Sequence, residues 1–246
     1  MRVATFNIHH GVGQDGVPDL ERTARTLAAT GGDLIGLQEV DRHFSARSDW
    51  VDQAAWLGES LAMQVVYGPS LDLPPPEPGA PRRQYGNALL SAYDIVDWHN
   101  ILLPRLGDDE QRGLLDVLVD PGDGARTHVL VTHLQHDSRI ARLLQVDAIR
   151  QVLATTEPPV LLVGDLNSRP DSDEVQQLTE ELSDAWATAG QGPGYTFSAR
   201  RPRARIDYVM SSEDLVAWAA EVLWSRAADH LPVVANLQSA GPDWPG

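Results

Sequence analysis

The sequence has no cysteine, so disulfides and thiolate metal sites are excluded and any bound metal must rest on oxygen or imidazole ligands. That favours Mg²⁺, Mn²⁺ or Ca²⁺ wherever carboxylates converge. Lysine is absent too: all 19 basic residues are arginines. Aromatic residues make up only 6% of the chain, a thin supply for stacking the bases of a nucleic-acid strand. No run approaches the ~20 consecutive apolar residues that span a bilayer, and Arg2-Val3-Ala4-Thr5-Phe6-Asn7 opens without a signal-peptide pattern. The expectation is a cytoplasmic protein without stable membrane insertion. Positive charge is also in deficit, and a formal net charge of −16 offers a polyanion no long-range attraction. Bound cations and local arginines can still receive a phosphate, because such ions would be the largest charges nearby.

What is present is ample for a packed core: 246 residues, 42% of them hydrophobic, read as a single domain over 1–246. Periodicity predicts strands at 2–7, 34–40 and 64–67 alternating with helices at 19–30 and 51–61. Leu20, Ala24, Leu27 and Ala28 mark the apolar face of the first helix, and Gly31-Gly32 ends it. Strands at 87–91, 95–100, 114–119 and 127–132 then follow without helices between them, which implies antiparallel neighbours. A helix at 140–153 carries Ile140, Leu143, Leu144, Ala148 and Val152 at helical spacing. A strand at 160–163, a helix at 173–181 and strands at 206–210, 216–223 and 233–237 close the pattern. Mixed strands with helices at both ends predict an α/β fold in which two sheets pack face to face under covering helices. The proline-rich segment 71–84 reads as a stiff surface loop, with a substrate-side lid as the alternative. The tryptophans at 50, 56, 98, 186, 218 and 224 read as packing residues.

Polar residues recur where apolar runs end. Glu39 follows Leu34-Ile35-Gly36-Leu37, and Asp165 follows Val160-Leu161-Leu162-Val163, with Asn167 two residues on. Asn7, Asn87 and His133 also fall at strand ends, and sheet proteins place ligand sites where several strand ends converge.

The ordered motifs Thr5-Phe6-Asn7-Ile8-His9, Leu37-Gln38-Glu39-Val40, Tyr85-Gly86-Asn87-Ala88, Thr132-His133-Leu134, Gly164-Asp165-Leu166-Asn167, Ile206-Asp207-Tyr208 and Asp229-His230-Leu231-Pro232-Val233 resemble those of the endonuclease/exonuclease/phosphatase superfamily. The resemblance, which extends to deoxyribonuclease and sphingomyelinase-like bacterial members, implies a four-layer α/β sandwich of two mixed sheets flanked by helices. It implies Mg²⁺- or Mn²⁺-dependent hydrolysis of a phosphate ester by an in-line water. By position it makes Glu39 the principal metal ligand, with Asn7 beside it and Asp229 a further ligand. It makes His230 the catalytic histidine, Asp207 the carboxylate that orients it and Asp165 the residue that positions or deprotonates water. Which of Asp165 and His230 is the base stays open at this point. Asn167 would donate to a phosphate oxygen, and His133 would protonate the leaving group or bind phosphate. Asn87, Arg112 and Arg205 are further candidates for substrate phosphate, while His136 reads as a surface residue.

Histidine at position 9, where the abasic-site branch has an aspartate, points away from abasic-site repair. The segment before Asp207 likewise lacks the tryptophan-cysteine signature of the inositol-polyphosphate branch. The expected substrate is a phosphodiester in a small molecule, lipid head group or nucleic acid. The alternatives are a DNA or RNA endonuclease, a phosphomonoesterase, and a catalytically inactive binding module.

Overall fold

The structure, a computed structural model, describes residues 1–122 and 124–240. In chain order its main elements are β1 (Arg2–Asn7), α1 (Leu20–Thr30), β2 (Leu34–Arg42), α2 (Gln53–Leu61), β3 (Gln64–Leu73), β4 (Arg83–Ser91), β5 (Asp94–Leu102) and β6 (Gly113–Asp120). They continue with β7 (Thr127–His133), α3 (Arg139–Leu153), β8 (Val160–Asp165), α4 (Asp173–Thr179), β9 (Ser183–Asp184), α5 (Ala185–Ala189), β10 (Asp207–Ser211), β11 (Leu215–Val222) and β12 (Val233–Ser239).

The strands form two six-stranded mixed sheets, ordered β11-β12-β1-β2-β4-β3 and β5-β6-β7-β8-β10-β9. Among the described residues only β1–β2 and β7–β8 pair in parallel, and each of those pairs is joined through a helix, α1 or α3. The expected α/β sandwich is thus present. The central strands β1, β2, β7, β8 and β10 read as near-continuous apolar runs because both their faces are covered. Val3 and Leu34 point into the layer between the sheets, together with Val131, Leu161 and Val163. Their neighbours Ala4 and Ile35 point the other way, onto α1 and α2 with Leu27 and Leu57. In the second sheet Leu130 and Leu162 face Val146 and Ile149 of α3 and Leu178 of α4. Gly36 marks the close approach of the two sheets, since a Cβ there would lie 2.5 Å from Val163 Cγ2.

The expected face of α3 needs correction. The helix exists, but it buries Ala141, Gln145, Val146 and Ile149, while Ile140 is 67% exposed and Leu144 41% exposed. Polar anchors decide the rotation: Gln145 accepts from Gln135 N at 2.9 Å and donates to the Pro104 carbonyl at 3.2 Å. Leaving those backbone groups unpaired inside the protein would cost about 1–3 kcal/mol each.

Two other expectations change. Segment 71–84 is not all loop, because β3 and β4 extend into it with Leu71 opposite Tyr85 and Leu73 opposite Arg83. And Trp50, Trp98, Trp218 and Trp224 are exposed rather than packed.

Candidate active site

β1 and β2 end at the same edge of the sandwich as β7 and β8, where antiparallel β10 and β12 begin. That arrangement gathers side chains from both sheets. Asn7 closes β1 and places its carboxamide nitrogen 3.0 Å from Glu39 Oε1 and 3.1 Å from Asp165 Oδ2, bridging the sheets. Glu39 sits where the β2–β4 register shifts, with φ +58°, and that bulge re-aims its side chain. His133 and Asp165 are direct partners across the parallel β7–β8 pair. Gly164 permits their approach: its φ is +153°, and a Cβ would stand 2.0 Å from the Thr132 carbonyl oxygen.

Asp207 opens β10 opposite Asp165 and lies behind His230, whose Nδ1 is 2.9 Å from Asp207 Oδ2. His230 Nε2 is 3.5 Å from Asp165 Oδ2, and the ring of Phe197 packs on the imidazole at 4.8 Å. Burial opposes the charged form of His230, but Asp207 and Asp165 outweigh it and lift its pKa to about 10. The two carboxylates therefore favour the imidazolium form of the ring. Burial, reinforced by the Asp207 charge, pushes the Asp165 carboxyl up from its ordinary range. His133 is pushed the other way, well below its ordinary value, by burial and then by the Arg112 guanidinium. Arg112 Nη1 donates to His133 Nδ1 at 3.0 Å. Asn167 Nδ2 lies 3.1 Å from His133 Nε2 and donates to the Leu134 carbonyl at 3.0 Å, and the Asn167 backbone N–H donates to Asp165 Oδ1 at 2.9 Å.

The other side of the site is built differently. His9, His10 and Glu39 bring ligand-capable atoms within 4.8 Å of one another, and all three have positive φ. His10 Nδ1 is buried without a hydrogen-bond partner, 3.9 Å from Glu39 Oε2. Asp229 Oδ1 is 3.9 Å from His9 Nδ1. Burial raises the Glu39 pKa, but His10, His133 and Asn7 together hold it well below its ordinary value, so the carboxylate is ionised. An ionised carboxylate, a second carboxylate and an unpartnered buried nitrogen fit a divalent cation.

These groups line a cavity of about 360 Å³. Glu39, Arg112, His133, Asp165, Asn167, Asp229 and His230 all face it. Asn7 and Asp207 stand behind it, holding residues that do. Two sequence candidates lie elsewhere. Arg205 is buried against Asp184 at 2.6 Å and over the Tyr208 ring, turned away from the cavity. Asn87 spends its amide on the Gly113 and Val131 carbonyls of the opposing sheet. His136, read as a surface residue, is 62% exposed at its side chain but lines the cavity. Leu71, from the segment read as loop or lid, and Tyr85, from the motif before Asn87, line it too, whereas sequence reasoning missed Phe44, Arg47, Glu110 and Phe197. Arg47 is held by buried Asp41 at 2.7 Å and lies 4.3 Å from the Phe44 ring centroid, an arrangement without a local sequence signal.

The sequence pattern of the Endonuclease/Exonuclease/phosphatase family matches residues 4–230. The chain is 27% identical over 252 aligned residues to the uncharacterised protein YbhP of Escherichia coli strain K12, covering 96% of this chain and 95% of YbhP. A crystal structure of an endonuclease/exonuclease/phosphatase from Beutenbergia cavernae is 29% identical with a TM-score of 0.84, covering 98% of this chain and 72% of that one. The mannosyl-6-phosphatase Bt3783 of Bacteroides thetaiotaomicron shares the fold at 17% identity, with a TM-score of 0.80 and coverage of 97% and 99%.

Proposed function

The chain belongs to the endonuclease/exonuclease/phosphatase family of phosphoester hydrolases, and from that premise we propose that it is a divalent-metal-dependent phosphodiesterase acting by in-line attack of water. The observation that carries this reading is the convergence on one cavity of the Asp207–His230–Asp165 cluster and the His9–His10–Glu39 cluster. Glu39 and Asp229, with Asn7 steadying Glu39, would hold Mg²⁺ or Mn²⁺. A bound ion supplies charge neutralisation at the phosphoryl oxygens and the departing oxygen.

The remaining steps belong to the protein. The His230 imidazolium, oriented by Asp207, donates from Nε2 to a phosphoryl oxygen and stabilises the charge that grows there. A ring biased toward its protonated form is a poor proton acceptor, and Asp165, its carboxylate held by Asn7 and by Asn167 N–H, takes the proton from the attacking water. Asn167 donates to the phosphate, and Arg112 and Asn167 hold the His133 ring beside it.

Preference for a diester rests on charge. The cavity is lined by Glu39, Glu110, Asp165 and Asp229, and Glu110 occupies Arg112 at 2.8 Å. A diester monoanion meets less repulsion there than a monoester dianion. Phe44, Tyr85 and Phe197 also give apolar surface for a second ester substituent. The test is hydrolysis of bis-p-nitrophenyl phosphate against p-nitrophenyl phosphate with Mg²⁺, Mn²⁺ or EDTA. Metal-dependent turnover favouring the diester, lost in Glu39→Ala and His230→Ala, supports the reading. Monoester preference converts it to a phosphomonoesterase, and silence on both reporters returns the binding-module alternative.

A further inference from the structure

Most arginines are paired with carboxylates, as in Arg2–Glu221, Arg42–Asp52, Arg142–Glu174 and Arg150–Glu181. Arg200, Arg201, Arg203 and Arg226, like Arg83, Arg105 and Arg169 elsewhere, have no carboxylate within 4.0 Å among the described residues. Four of these seven arginines fall within residues 200–226 of a chain whose net charge is −16. Two of the four, Arg200 and Arg226, face a second cavity of about 460 Å³ together with Trp224. Its one acidic residue, Asp15, is already engaged by Arg22 through contacts of 2.7 and 3.1 Å.

The cavity is anchored. Gln14 N–H donates to the Arg226 carbonyl at 3.1 Å, the Gln14 side chain donates to Ser225 O at 2.8 Å, and Arg200 donates to the Gln14 carbonyl. Trp224 is 69% exposed, with the Arg226 guanidinium 5.3 Å from its ring centroid. A backbone rung links the walls of the two cavities: Ala199 N–H donates to Asp229 O at 2.7 Å. Ala199 and Arg226 line one side of that rung, Phe197 and Asp229 the other. Arg226 precedes Asp229 by three residues, so their Cα atoms are at most ~11 Å apart.

We propose that the Arg200–Arg226–Trp224 cavity is a subsite for a neighbouring nucleotide unit of the substrate, its phosphate on the two arginines and its base against Trp224. The guanidinium fork matches a phosphoryl group, and the exposed indole offers the face on which a base stacks. This inference rests on the phosphodiesterase reading for the identity of the reacting group. It adds a requirement that reading does not make: a second phosphate, placed beyond the scissile one.

The experiment compares hydrolysis of the dinucleotides d(pTpT) and d(TpT) by the native protein, Arg200→Gln/Arg226→Gln and Trp224→Ala. The native protein favours d(pTpT) by about tenfold in kcat/KM, and the double variant loses that preference while hydrolysing d(TpT) as before. Trp224→Ala raises the KM for d(pTpT) about fivefold. Equal native turnover of the two dinucleotides, or a preference that survives in the double variant, overturns the subsite. An unchanged KM in Trp224→Ala overturns its assignment to a nucleotide.

A second measurement needs no catalysis. Inorganic phosphate is titrated without metal while the indole N–H of Trp224 and the Nε–H of Arg226 are followed by NMR. Shifts that disappear in the double variant support the subsite even if neither dinucleotide is cleaved, in which case the phosphodiesterase reading alone falls. No shift at either group up to ~20 mM phosphate, an affinity too weak to help a substrate, overturns it.

Discussion

The two sides of the catalytic cavity solve opposite problems. Asp165, Asp207 and His230 are buried and bonded to one another and to Asn7 and Asn167, so each polar atom has its orientation set. His9, His10 and Glu39 are only partly buried, adopt left-handed backbone conformations, and leave His10 Nδ1 without a partner. Strain and an unpaired buried nitrogen together cost a few kcal/mol. A structure keeps such features where a ligand completes them. The difference teaches that one side is preorganised to hold and move protons, while the other is shaped to receive positive charge.

If that division is right, removing one side's function should leave the other's intact. The largest effect is expected for Asp207→Asn, which deprives His230 of the carboxylate that orients and charges it. Turnover of bis-p-nitrophenyl phosphate should fall about 10²–10⁴-fold while divalent-cation affinity stays unchanged. A loss of cation affinity in that variant would merge the two sides into one.

The pH profile sharpens the same point. With His230 acting as a charged donor, kcat/KM should rise as Asp165 ionises and fall as His230 loses its proton near pH 10. A rate that kept climbing through that alkaline region would make the neutral ring the base instead. The linked stability has the matching sign. The folded pKa of His230 lies above its ordinary 6.5, so its contribution is complete below that value and is lost as pH rises through about 10.

Asp165 predicts a trade. Its carboxyl is raised by burial, so ionising it in the folded protein costs stability at any pH above the ordinary carboxylate range. Asp165→Asn should lower turnover about 10²-fold yet raise the Tm by ~2–6 °C, read by calorimetry. A lower Tm would mean that its bonds from Asn7 and Asn167 outweigh the cost of burying the charge. A smaller effect is expected at the wall: Arg47→Ala should raise the KM for a diester about three- to tenfold with kcat nearly unchanged, since Arg47 lines the cavity without touching either cluster.

Much of this layout was legible in the sequence because strand ends are legible. Asp165 after Val160-Leu161-Leu162-Val163 could be placed at the end of a buried strand, and β8 puts it there. The rest depended on contacts between distant segments. Arg205 stands two residues from Asp207, but it lies just before β10 begins, and its side chain turns onto Asp184 and Tyr208. Asn87 falls in β4 as expected, and only the opposing sheet reveals that its amide is occupied. In α3 the apolar spacing of Ile140 and Leu144 was overruled by Gln145, whose buried partners are on the chain at 104 and 135. Exposed tryptophans such as Trp224 carry no sequence mark that separates them from packed ones.

The most direct test of the division is calorimetric titration of Mn²⁺ into the native protein, Glu39→Gln and His230→Ala, with diester turnover measured on the same samples. The account predicts that Glu39→Gln loses both cation binding and turnover, whereas His230→Ala loses turnover and binds Mn²⁺ as the native protein does. Mn²⁺ binding that survives in Glu39→Gln, or fails in His230→Ala, would contradict it.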